Sequence, residues 1–137
     1  MTYRRDIRIE FNHCDPAGIV FYPRYFEMTN SVTENFYRDI AEYPYEAMMP
    51  DQEGVPMAGL EARYHAPSRL GEVLNWTLNV TKLGRTSLGL HLEAHCDDVL
   101  RVSFDLTQVF VGADGRPKPW PDDIRARIEQ FIERSTP

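Results

Sequence analysis

Apolar and polar residues alternate along this chain with two different periods. Ile7, Ile9 and Phe11 alternate with Arg8 and Glu10, which predicts a first strand with one buried face. From Pro23 the period lengthens. Tyr25, Met28, Val32, Phe36 and Ile40 recur every three or four residues, as in a helix that buries one apolar stripe. The stretch from Glu42 to Pro56 holds Pro44, Pro50, Pro56 and Gly54, and reads as a loop with one short turn. Alternation then returns in four runs. Ala58, Leu60, Ala62 and Tyr64 form the first, Leu74, Trp76, Leu78 and Val80 the second, Leu88 through Cys96 the third, and Leu100 through Leu106 the fourth. Gly84-Arg85 and Asp97-Asp98 supply turns between them. After Leu106 the parity changes, because Val109 and Val111 occupy odd positions; a bulge or a strand that leaves the core face would each account for it. Pro121, Asp122 and Asp123 open a last helix whose stripe is Ile124, Ile128, Phe131 and Ile132, and whose role is structural.

Five strands with one long helix after the first make an α+β chain in which an antiparallel sheet wraps around a helix. At 137 residues a single domain over 1–137 is expected. Hydrophobic residues at 42% and charged ones at 26% are ordinary for a globular chain, and no apolar run approaches the ~20 residues that span a membrane. The polar start, Met1-Thr2-Tyr3-Arg4-Arg5-Asp6, lacks the apolar core of a secretory signal, so a cytoplasmic location is expected. A net charge of −6 argues against a nucleic-acid partner, which needs a basic face.

The candidate chemistry lies between the first strand and the long helix, in His13-Cys14-Asp15-Pro16-Ala17-Gly18-Ile19-Val20-Phe21-Tyr22-Pro23. Pro16 and Gly18 favour a tight turn with Asp15 at its rim, and Pro23 suits the first turn of a helix. A helix start carries unpaired N–H groups and partial positive charge, so the segment can hold both a carboxylate and a site for an oxyanion. The run from Asp15 to Tyr25 resembles the signature of the hotdog-fold acyl-CoA thioesterases, in particular the 4-hydroxybenzoyl-CoA thioesterase-like group. That resemblance implies a hotdog fold, with the five-stranded sheet around a long central helix. It implies hydrolysis of an acyl-CoA thioester, with Asp15 as nucleophile or general base and the Tyr22 N–H polarising the carbonyl. It also implies that the turn Arg85-Thr86-Ser87 lies near the CoA phosphates, that no cofactor is used, and that the chain forms a homodimer or a homotetramer.

The substrate is open between an aryl acyl-CoA, 4-hydroxybenzoyl-CoA among them, and a medium-chain one; Asn30, two turns into the helix, is the polar candidate for reading the acyl group. The alternatives to hydrolysis are a non-hydrolytic acyl-thioester binding module and a hotdog dehydratase. Glu27 and Glu34 on the long helix are solvated charges or a second catalytic carboxylate. Cys96 is expected in the core, and Cys14 is an unpromising nucleophile because the neighbouring Asp15 disfavours a thiolate. His91 and His95 stand four apart, but in a strand that separates them by roughly 13 Å, so no shared metal is expected. His65 reads as another exposed sheet histidine, and His13 as a cap or a modulator of charge at the loop.

Overall fold

The computed structural model describes residues 2–135. The first strand, β1 (Tyr3–Arg8), leads through a short 3-10 turn at Phe11–His13 to the long helix α1 (Arg24–Asp39), and a one-turn helix α2 (Tyr45–Met48) follows. The strands β2 (Met57–Tyr64), β3 (Val73–Leu83), β4 (Ser87–Cys96) and β5 (Val99–Val109) come next, and α3 (Asp122–Ser135) closes the described chain. All the strands pair antiparallel in one sheet of order β1-β3-β4-β5-β2. This is the hotdog arrangement. No helix of the described residues is long and apolar enough to cross a membrane.

The alternation decides which face of the sheet receives the helices. Leu74, Trp76 and Leu78 of β3, the even positions of β4, and Val102, Phe104 and Leu106 of β5 are all buried on the inner face. Against them α1 lays Tyr25, Met28, Val32 and Phe36, the expected stripe, broadened by Thr29, Thr33 and Tyr37. Thr29 and Thr33 satisfy their buried hydroxyls by donating to the carbonyls of Tyr25 and Thr29, both at 2.8 Å. Ile124, Ile128 and Phe131 of α3 are also buried, and Phe131 meets Phe36 edge-on. The outer face is polar. There His91 sits opposite Asp105 and holds carboxylates at both ring nitrogens, Asp105 and Glu93, each at 2.8 Å. Partial burial pulls the His91 pKa down, yet those hydrogen bonds carry it above its ordinary value.

Three expectations change. The first strand starts earlier and stops at Arg8, so Phe11 lies in the 3-10 turn with 84% of its surface exposed rather than on a buried face. The run Ala58, Leu60, Ala62 and Tyr64 does form β2, but its large apolar positions are not in the core. Leu60 is 41% and Tyr64 49% exposed, because β2 is an edge strand bonded only to β5. The change of parity after Leu106 is neither a bulge in β5 nor a departure from the core face. The β4–β5 register runs unbroken from Leu90↔Leu106 to Ser87↔Val109, and buried Gln108 and Phe110 keep the even, inward positions. The inward glutamine hid the pattern. Its Oε1 accepts from the Tyr37 hydroxyl at 2.8 Å and its Nε2 donates to the Val55 carbonyl at 3.1 Å.

Candidate active site

The loop after β1 closes as a small hairpin. Cys14 bridges Val20, Asp15 N–H donates to Ile19 O at 3.0 Å, and Phe21 N–H donates to His13 O at 2.9 Å. At its tip Gly18 N–H donates to Asp15 O at 2.9 Å, the closing bond of a turn whose second residue is Pro16. Gly18 takes φ +78, the left-handed region that glycine enters without steric cost. The Asp15 side chain folds back so that Oδ1 accepts the Ala17 N–H at 2.8 Å, which fixes the carboxylate and leaves Oδ2 without a partner among the described residues.

The hairpin returns the chain directly into the start of α1. Arg24, Tyr25 and Phe26 N–H groups donate to the carbonyls of Phe21, Tyr22 and Pro23, so the first turn is wound from Phe21 onward. Pro23 has helical dihedrals and no N–H, and the Tyr22 N–H donates to no backbone carbonyl among the described residues. A free donor therefore stands at a helix start on the strand of the hairpin that returns from Asp15. This can stabilise an oxyanion, as the carboxylate can attack or take a proton.

The loop rests on the segment before β3. Val20 N–H donates to Ser68 O at 2.9 Å, Leu70 N–H to Gly18 O at 3.1 Å, and Ile19 bridges Arg69. That segment is in turn held by Arg101, a buried residue of β5. Its Nη1 donates to Glu72 Oε1 at 2.8 Å and to Pro67 O at 3.0 Å, and its Nη2 to Glu72 Oε2 at 3.1 Å. The guanidinium holds the Glu72 carboxyl down to about 2. Glu72, Cys96 and Asp97 bring ligand atoms within 4.8 Å of one another, but both Glu72 oxygens are already engaged by Arg101. Burial pushes the Cys96 thiol up, as suits a core residue.

Around the helix start lie aromatic rings that the alternation alone did not single out as a group. Tyr22 meets Tyr64 at 6.1 Å, Tyr25 meets Tyr64 at 5.9 Å, and a cavity of about 320 Å³ opens between these three, Val20, His65 and Pro67. Farther along α1, Asn30 lines a second cavity of about 380 Å³ with Tyr45, Met48, Met49, Val55, Met57 and Gln108. Asn30 is exposed and donates to Glu34 Oε1 at 3.3 Å, while Glu27 is paired with Arg24 at 2.8 Å. Gln108 and the methionines are cavity residues that the sequence reading missed; the inward parity of β5 was the available signal for Gln108.

Arg85, Thr86 and Ser87 are elsewhere. Their turn packs on the C-terminal connector, where Trp120 N–H donates to Arg85 O and Phe110 N–H to Thr86 O, while the Trp120 indole donates to Ser87 O. Asp15 lies by the residues that precede β3, and Arg85 follows its far end, so roughly 30 Å of strand separates them within one copy of the chain.

A family model described as "Thioesterase-like superfamily" matches residues 9–128. A curated relative, the 4-hydroxybenzoyl-CoA thioesterase of Pseudomonas sp. (strain CBS-3), is 29% identical over 69 residues, so the match spans about half of this chain and about half of that protein, 49% of each. Two solved structures share the fold. A mutant 4-hydroxybenzoyl CoA thioesterase complexed with 4-hydroxybenzoyl CoA superimposes with a TM-score of 0.84 at 23% identity, covering 93% of this chain and 98% of its own. A 1,4-dihydroxy-2-naphthoyl-CoA thioesterase from Synechocystis gives 0.87 at 15% identity, covering 96% and 97%.

Proposed function

This chain belongs to the thioesterase-like superfamily, and from that premise we propose that it hydrolyses an acyl-CoA thioester carrying an aryl or medium-chain acyl group. The observation that carries this reading is the hairpin that fixes the Asp15 carboxylate and hands the chain straight to an unbonded Tyr22 N–H at the start of α1. In the reaction the thioester carbonyl carbon is attacked and its oxygen gains charge, which the Tyr22 N–H and the helix start stabilise. Asp15 either attacks as nucleophile, forming an anhydride that water then cleaves, or takes a proton from the attacking water. The C–S bond breaks, the thiolate of CoA leaves and is protonated, and the acid is released.

We also propose that one domain of this kind works as a homodimer or homotetramer with the site at the junction. The support is where the apolar surface lies. Tyr22, Phe26, Met57, Leu60 and Tyr64, all partly exposed, crowd the start of α1 and the free edge at β2. The opposite edge, β1, is guarded by Arg4, Arg5, Asp6 and Arg8.

Asp15→Asn tests the chemistry. It keeps the shape and the capping geometry but removes the negative charge, so kcat on acyl-CoA is expected to fall at least the ~10²-fold typical of losing a general base, with binding retained. A folded variant within a few-fold of the parent rate would remove Asp15 from the mechanism. A parent that binds acyl-CoA without releasing CoA thiol would support the non-hydrolytic module instead.

A further inference from the structure

Resting on the hydrolytic reading, we propose that the cavity beside Asn30 receives the far end of the acyl group, so that the preferred substrate is a flexible acyl chain of about eight to ten carbons rather than a single aromatic ring. Residues 22, 26, 30 and 34 recur at intervals of four and so form one ridge along α1. The ridge starts at Tyr22, where the carbonyl would bind, and ends beside the cavity, which Asn30 lines. Its middle is apolar. Phe26 packs edge-on against Phe104 of β5, and Ala62 of β2 pairs with that same Phe104.

The distance sets the length of the substrate. From the start of α1 at Arg24 to Asn30, or from Tyr22 to Asn30, helical rise covers roughly 9–12 Å. A zigzag chain of ~1.5 Å bonds advances about 1.25 Å per carbon, so eight to ten carbons are needed to reach the cavity. A 4-hydroxyphenyl group ends roughly 6 Å from the carboxyl carbon at ordinary bond lengths and stops short of it. The lining suits a flexible occupant. Met48, Met49 and Met57 all line it, and unbranched thioethers adapt to a chain whose conformation varies, while the carboxylate of Glu53, also in the lining, is engaged by Lys118 and Tyr43. Gln108 marks the floor. Its amide is held by Tyr37 and Val55, so a chain that grows past the cavity meets a fixed, buried polar group.

The test is the kcat/KM of the purified protein on straight-chain acyl-CoA substrates from four to sixteen carbons and on benzoyl-CoA, with Met57→Trp and Met49→Trp as cavity-filling variants. Met49 and Met57 are both exposed, so at least one variant is expected to fold. The parent profile should rise by up to about fourfold per added carbon, peak near eight to ten, and fall beyond. Each variant should lower the ratio of the decanoyl to the butyryl value at least tenfold. If the parent hydrolyses the panel with a flat profile, or prefers benzoyl-CoA while both variants leave the ratio unchanged, the cavity does not take the acyl group and hydrolysis still stands. If nothing in a panel widened to hydroxylated aryl-CoA substrates is hydrolysed, the hydrolytic reading falls and this inference with it.

Discussion

Arg101 anchors the segment on which the Asp15 loop rests, and it does so from a buried position with Glu72 as its counter-charge. Glu72→Gln preserves size but leaves the guanidinium uncompensated, which should cost about 2–4 kcal/mol, measured as a lower midpoint of denaturation at neutral pH. The pH dependence gives a second readout. The folded-state pKa of Glu72 is depressed from about 4.5 to about 2, so its stabilising contribution is complete above about 4.5 and is lost as pH falls through that window. The parent should therefore lose stability between about pH 4.5 and 2 that the variant has already lost, and identical acid profiles would show that the pair contributes nothing. None of this was legible beforehand. Arg101 and Glu72 are 29 residues apart, and only the sheet topology sets Arg101 of β5 against the residue that precedes β3. Asp15 and Gly18 were legible because a turn is a local event, decided by which residues accept its dihedrals.

At the scale of elements, periodicity read well in the inner strands β3 and β4, and in β5 as far as Leu106, beyond which the inward Gln108 hid it. β3 and β4 bury the positions expected of them, and α1 and α3 bury the expected stripes. β2 shows the limit. Its alternation is as regular as that of β4, yet its place at the edge leaves the apolar positions in solvent, and place in the sheet order is a long-range fact. The exposed pattern is what the proposed assembly would cover with a second copy. Leu60→Lys sets a charge on that edge at a position already 41% exposed, so the fold should change in stability by no more than about 0.5 kcal/mol. Sedimentation at micromolar concentration should show the parent as dimer or larger and Leu60→Lys shifted towards monomer, with activity falling in step. An unaltered mass would place the interface on another surface.

For the whole molecule, the separation of Asp15 from Arg85 decides how the site can be assembled. If both serve one CoA thioester, they must come from different copies, because within one copy they stand at opposite ends of β3. The expected role of Arg85 is a phosphate contact, remote from the chemistry, so Arg85→Ala should raise KM several-fold and leave kcat nearly unchanged. Asp15→Asn, by contrast, should lose kcat. Mixing the two variants then becomes informative. In a mixed assembly, the Asp15 of an Arg85→Ala copy faces the Arg85 of an Asp15→Asn copy, which rebuilds one intact site from two defective chains. Co-refolded mixtures should therefore show a component that combines parental kcat with parental KM, a combination that neither variant shows alone, amounting to roughly a quarter of parental sites when copies combine at random into dimers. An Arg85 that acts within its own copy, or not at all, would give only the sum of the separate variants, and the phosphate-binding residues would then have to be sought nearer the start of α1.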